Sequence, residues 1–272
     1  MHPASDVTSF GRVDEQSDPD YFVRFVDEVN SMDNILQVEE LATAELRLSP
    51  GDRVLELGCG AGDDSRALAA QVGPDGEVVG IDASEAMISV ARQRSAGTGL
   101  PVSFHVGDAM QLDLPTDSFD AVRCERLLIH VPDAAVVLGE MVRVTRPGGR
   151  VVVVDIDMDG LLIDLPDTDP DLVRRAVHGM SDAMSTGQIG RQLPRRFGEA
   201  KLEDVTYRSA VLAFPYRFAS HMVAGSLVGA VGIGAVTEAE AGAVQRAMER
   251  AEGDGVFYLG MPFYIVSGTK PW

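Results

Sequence analysis

The chain has 272 residues, 45% of them hydrophobic and 24% charged, the balance of an ordinary globular protein with ample sequence to bury a core. Its 42 Asp and Glu against 23 Lys and Arg give a formal charge of −19, and each third of the chain is net negative. Such a surface repels polyanions, which argues against nucleic acid and anionic membranes as partners. Two cysteines, Cys59 and Cys124, are too few for a disulfide framework or a Cys-only zinc site.

The first 20 residues are polar, carry no apolar signal core, and are expected to be frayed and flexible, which points to a cytoplasmic protein. From Tyr21 the pattern turns helical: Phe22, Phe25, Val26 and Val29 share one face, and a second helix is expected over Ile35–Leu46. Ser49-Pro50-Gly51-Asp52 is a turn. Short apolar strands then alternate with helices. Strands are expected at Arg53–Leu57, Glu77–Ile81, Val102–Val106, Phe119–Cys124 and Arg150–Asp155. The intervening helices are expected at Asp64–Val72, at Ser84–Arg94 with Ser84 as N-cap, and at Ala134–Val144, the last stopped by Arg146-Pro147-Gly148-Gly149. This alternation predicts an α/β, Rossmann-like parallel sheet of about seven strands with helices on both faces.

Beyond Asp155 the rhythm relaxes. Helices are expected at Asp171–Met184, Leu193–Ala200 and Glu238–Ala251, with strands at Val205–Phe214 and Pro262–Ser267. The uncharged run Met222–Val236 is shorter than the roughly 20 residues of a membrane span and rich in Gly, so it is read as a buried or lid helix.

The chemistry-bearing motif is Glu56-Leu57-Gly58-Cys59-Gly60-Ala61-Gly62-Asp63, a strand, a glycine turn and a helix start. Gly58 and Gly60 permit a tight turn with close backbone approach to a ligand, and Gly62 lets helix and strand pack closely. The G-x-G-x-G spacing departs from the G-x-G-x-x-G of dinucleotide binders, so an NAD-dependent oxidoreductase is the weaker reading. Asp82 ends the second strand, where a carboxylate can accept both hydroxyls of a ribose. Gly107-Asp108-Ala109 directly follows the third strand, where an acid can accept from an adenine amino group.

Taken in order, these elements resemble the class I S-adenosylmethionine-dependent methyltransferases. RCERLLIHVPD and RVTRPGGRVVVVD resemble that family's fourth-strand and fifth-strand segments, and QLDLPTDSFDAV resembles its quinone and natural-product branch. The resemblance implies that S-adenosylmethionine is the cofactor and S-adenosylhomocysteine the product. It implies Gly58, Gly60 and Gly62 on the methionine and ribose side, Asp82 on the ribose, Ala83 and Met87 beside the adenine, Asp108 and Ala109 on the adenine, and Glu125 and Arg126 near the sulfonium. Cys59 falls within the same loop. The expected organisation is a methyltransferase domain over 21–272. It comprises lid helices over 21–48, a cofactor core over 49–156, and a helical substrate cap with the final strands over 157–272. The expected activity is methyl transfer to O, N or C of a small-molecule acceptor by a monomer or homodimer. The alternative is a non-methylating role on this fold, such as cyclisation or binding.

Individual residues carry two readings. Glu56, an acid inside a strand, needs a partner if buried, and orients either the loop or the cofactor amino group. Glu125 and His130 are candidates for proton removal or substrate positioning, His130 alternatively being part of a loop entering a helix. Cys59 and Cys124 have no identifiable base and are read as structural. Tyr21, Phe22 and Phe25 form either a core stripe or a lid over the substrate. Asp155, Asp157 and Asp159 begin like a calcium loop, but the twelfth position is Pro166 rather than Glu, so no metal is expected. They are read as an acidic rim, solvated or favouring neutral or cationic substrates, with Asp157 a substrate candidate. Arg191, Arg195 and Arg196 are either a solvated face or an anion site.

Overall fold

The computed structural model describes residues 13–15 and 18–272. Two helices, α1 (Pro19–Asn30) and α2 (Asp33–Leu46), precede the sheet. Then follow β1 (Arg53–Leu57), α3 (Asp63–Val72), β2 (Glu77–Asp82), α4 (Glu85–Ser95), β3 (Val102–Val106), β4 (Phe119–Glu125), α5 (Ala134–Val144) and β5 (Thr145–Ile156). α3, α4 and α5 cross from β1 to β2, β2 to β3 and β4 to β5, and the register pairs β1 with β2 and β4, β2 with β3, and β4 with β5, all parallel. β1 and β4 are buried over almost their whole length because helices cover both faces. Adjacent residues of β4 show this. Arg123 points toward α2 and α3, where it meets Glu39 and Asp64, while the Cys124 thiol meets Met141 of α5 on the opposite face.

The rest of the chain is β6 (Leu162–Asp164), α6 (Pro170–Asp182), α7 (Ile189–Glu199), β7 (Glu203–Ala213), α8 (Tyr216–Gly232), α9 (Glu238–Gly253) and β8 (Tyr258–Thr269). β8 lies antiparallel beside β5, and also pairs antiparallel with β6 and β7. Among the described residues the sheet therefore has eight strands, in the order β3-β2-β1-β4-β5-β8-β6 with β7 also on β8, rather than about seven. The added strand, β6, is three residues long and carries no alternation that a sequence could show. Arg146–Gly149 does not simply separate α5 from β5. Thr145 pairs with Phe119 and Arg150 with Ala121, so these four residues bulge out within the strand.

Two further differences bear on the site. The frayed amino terminus expected over 1–20 lies largely outside the described residues, but Val13 is buried, and Asp14 caps α4. Its carboxylate accepts from Ser84 Oγ at 2.6 Å, Glu85 N at 2.7 Å and Ala86 N at 3.2 Å. Ser84 is itself the N-cap of α4, accepting from Met87 N. The uncharged run near Met222 belongs to a helix that starts earlier, at Tyr216, and ends at Gly232. No helix among the described residues is long and apolar enough to cross a membrane. Helices α6, α8 and α9 pack on one another as a helical layer.

Candidate active site

The glycine loop is built from the backbone outward. Gly58, Gly60 and Gly62 all take positive φ, at 68°, 51° and 77°, which side-chain-bearing residues rarely adopt. The amides of Gly58 and Cys59 donate to Ile81 O at 2.7 and 3.1 Å. The Gly60 amide donates to Asp82 Oδ2 at 2.9 Å, and the Ser84 amide to Asp82 Oδ1 at 2.9 Å. Burial raises the Asp82 carboxyl above the usual range, opposed by these backbone bonds. Gly60 lines a cavity, and a Cβ there would meet no protein atom within 4 Å, so glycine keeps that space open to a ligand. Gly62 differs: its Cβ would lie 2.6 Å from the Phe104 ring, and it does not line the cavity. Its requirement is helix packing, which corrects its expected place on the ligand side.

The cavity, about 660 Å³, sits at the carboxyl ends of the parallel strands, where open α/β sheets bind ligands. Its first end is walled by Glu56, Gly58, Cys59, Gly60, Asp82, Ala83, Met87, Asp108 and Ala109, with Glu125, Arg126 and His130 also on the wall. These strand-end residues, far apart in sequence, thus meet on one cavity wall. The shape and donor set fit an adenosyl ligand: paired acids for hydroxyl and amino groups, and a glycine cradle free of Cβ atoms.

The other end was legible in the sequence only at Phe25. Phe25 from α1, Met158 from the turn after β5, Phe214, Phe218 and Met222 from the start of α8 and the residue pair before it, and Met261 and Phe263 from β8 line it, with Met184 alongside. Phe218 stacks against Phe25 at 5.1 Å and Phe214 at 5.2 Å between centroids. Apart from Phe25, each of these reads as an ordinary apolar residue in sequence, and only the fold gathers them. Of the expected substrate residues, Phe25 and His130 line the cavity. Tyr21 and Phe22 do not: Phe22 is fully buried in a small cluster with Val13, Val23 and Met87, and Tyr21 packs against it.

The acids at the end of β5 and just after it are not a rim. Asp155 is fully buried and accepts from the amides of Leu128, Ile129 and Ile156; burial pushes its carboxyl up to about 7. Asp157 is buried outside the cavity and held by Arg191, which also reaches Asp159 at 3.1 Å. Asp157 is thereby removed from the substrate candidates, because its charge is already neutralised. Arg191 is likewise engaged, Arg195 pairs with Glu199, and Arg196 donates to the neutral Gln192 Oε1.

Glu56 is 2% exposed, accepts from Ser65 Oγ, and lies 3.3 Å from Arg123 Nε. Glu125 is gripped by Arg123 at 2.9 Å and Arg126 at 2.9 Å, which leaves it poorly placed to remove a proton. Burial raises both carboxyls. Glu39, Asp64 and Glu125 also offer oxygens within 4.8 Å of one another, a grouping the sequence did not suggest. The Arg123 Nη2 atom stands among them, 2.8, 3.6 and 2.9 Å away, supplying the positive charge a metal would. His130 stands on the cavity wall with its pKa lowered to about 4 by burial and then by Arg126, so its ring is neutral at pH 7. Burial raises the thiols of Cys59 and Cys124, which keeps both protonated and weakly nucleophilic.

A methyltransferase-domain family profile matches residues 48–198. An uncharacterized 37.1 kDa protein in transposon TN4556 of Streptomyces fradiae is 41% identical over 188 residues, 68% of this chain and 53% of that protein. A 2-phytyl-1,4-naphtoquinone methyltransferase of Synechococcus elongatus is 44% identical over 109 residues, 39% of this chain and 47% of that one. The chain spans about half the length of the curated relatives it matches. In fold it is similar to the YcgJ protein of Bacillus subtilis, with a TM-score of 0.62 and 21% identity over 86% of this chain and 98% of the other. The domain match, over more than half of the residues, and the motif order agree: the chain belongs to the class I S-adenosylmethionine-dependent methyltransferase family.

Proposed function

We propose that the protein transfers the methyl group of S-adenosylmethionine to an O, N or C atom of a small, uncharged and largely apolar acceptor. This reading includes a cytoplasmic monomer or homodimer acting in secondary metabolism. The carrying observation is one cavity with two chemistries, a glycine loop and paired acids at one end and a Phe and Met chamber at the other. The likeness to a quinone methyltransferase supports an acceptor of the quinone or natural-product kind.

In this reading Gly58, Cys59 and Gly60 carry the methionine and ribose side, Asp82 accepts from the ribose hydroxyls, Ala83, Met87, Asp108 and Ala109 border the adenine, and Glu56, Glu125 and Arg126 face the sulfonium end. Residues 21–48 serve as the lid, 49–156 as the cofactor core and 157–272 as the substrate cap and closing strands. S-adenosylmethionine, when bound, supplies an electrophilic methyl group for in-line displacement. The chamber excludes water and holds the acceptor by burial of apolar area. Neutral His130 accepts a hydrogen bond from the acceptor, while Glu125 stays engaged in its two ion pairs.

Isothermal titration with S-adenosylhomocysteine tests the cofactor, and a mass-spectrometric screen of quinones and polyketide-like acceptors tests the reaction. Micromolar binding and a product heavier by one methyl group are expected. Absence of binding by folded protein refutes the reading, whereas binding without any methylated product would favour the non-methylating alternative.

A further inference from the structure

Arg123 is 1% exposed, yet its guanidinium is the meeting point of four carboxylates from four elements. Nη2 lies 2.8 Å from Glu39 of α2, 2.9 Å from Glu125 of β4 and 3.6 Å from Asp64 of α3, and Nε lies 3.3 Å from Glu56 of β1. The second cation at this wall is Arg126, 2.9 Å from Glu125. Among the described residues, four carboxylates therefore face two guanidinium groups, a surplus of negative charge held out of bulk water. Arg123 does not saturate the group, since its Nη1 atom and Glu39 Oε1 make no hydrogen bond. Glu56, Asp64 and Glu125 line the cavity beside the glycine loop, and Glu39 sits behind them.

Removing Arg123 would leave buried acids at mutual contact with no counter-charge, and they would respond by taking up protons. With Arg123 in place they stay together at the wall, short of positive charge. We propose that Arg123 is a positioning residue that gathers Glu56, Asp64 and Glu125 at the cavity wall, and that the surplus negative charge so held selects the sulfonium cofactor over its product, whose sulfur is neutral. It rests on the cofactor assignment above. Methyl transfer then removes the charge that the wall prefers, which favours exchange of product for fresh cofactor. Among the described residues the groups that act on Glu56 are Arg123 from β4, Asp63, Asp64 and Ser65 from α3, and the Cys59 and Cys124 thiols, while Arg123 brings Glu39 of α2 and Glu125 of β4 to the same group.

Isothermal titration of S-adenosylmethionine and S-adenosylhomocysteine into wild type, E39Q, R123K and R123M, from about pH 6 to about pH 9, tests it. Wild type is expected to prefer S-adenosylmethionine by roughly tenfold near neutral pH, the preference widening as pH rises and the acids ionise. E39Q should narrow it severalfold. R123M should lose the preference near pH 6 and regain it near pH 9, and R123K should restore the wild-type profile. If R123M does not fold, E39Q decides. Equal affinities in wild type, or a ratio that E39Q leaves unchanged at every pH, would overturn the inference while leaving the cofactor assignment standing. Binding of neither ligand to folded wild type would overturn both.

Discussion

The Gly60 amide and the Asp82 carboxylate share a 2.9 Å hydrogen bond that ties the middle of the glycine loop to the end of β2. The same carboxylate takes the Ser84 amide through its other oxygen, at the start of α4. Asp82 thus shapes the loop whether or not a ligand is present. D82A should orphan both amides and weaken S-adenosylhomocysteine binding by about tenfold or more, with a lowered Tm, each lost bond being worth roughly 0.5–1.5 kcal/mol or more to a charged acceptor. D82N, which keeps one acceptor oxygen, should fall between. Calorimetry on the two variants checks this, and wild-type affinity in D82A would refute it.

Gly62 should separate stability from binding. A Cβ at this residue meets the Phe104 ring at 2.6 Å and Ala91 at 3.0 Å, in a backbone conformation with φ at 77°. G62A is expected to lose about 1–3 kcal/mol of stability in urea denaturation through overpacking and strain. The folded fraction should bind S-adenosylhomocysteine like wild type, because Gly62 does not border the cavity. F104L should recover part of the lost stability in the G62A background.

The gathering of the glycine loop with the strand-end acids was legible because it depends on local order: strand, glycines, helix, then an acid at each strand end. Ser84 as N-cap is of the same kind, a preference expressed within one turn. Arg123 was not legible. An arginine inside FDAVRC resembles any strand-end charge, and its four acids come from β1, α2, α3 and β4. Asp157 and Asp159 looked like a rim for the complementary reason, since Arg191, their partner, arrives from α7. The Phe and Met chamber was hidden except at Phe25, because Phe214, Phe218 and Met261 each satisfy the pattern of an ordinary core residue.

That chamber makes a prediction about acceptor binding. Phe25 and Phe218 stack at 5.1 Å across the gap between α1 and α8, and both line the cavity. F25A should raise the acceptor KM by about tenfold or more, since a buried aromatic ring contributes roughly 1.5–3 kcal/mol. The affinity for S-adenosylhomocysteine should change little. A charged residue in the same chamber, as in M222E, should abolish turnover of an apolar acceptor, because no counter-ion faces Met222 among the described lining residues of that end. Steady-state kinetics paired with calorimetry separates the two ligands, and an unchanged acceptor KM in F25A would count against the chamber.

His130 gives the pH prediction, and its sign follows from burial. Its pKa falls from 6.5 to about 4 in the folded protein, so between these values the unfolded chain binds a proton that the folded chain refuses. Stability therefore rises with pH across this window and is lost as pH falls from about 6.5 toward 4. H130Q removes that linkage, and its loss of stability between pH 7 and pH 5 should be smaller than wild type by about 1 kcal/mol or more, read from urea midpoints. The same ring is already neutral at pH 6, so methyl transfer should show no inflection near 6.5 arising from this residue. H130A should lower kcat by about 10²-fold with little change in cofactor affinity, as expected of a group that accepts from the acceptor. An inflection near 6.5 that disappears in H130Q would show instead that His130 titrates as a solvated imidazole.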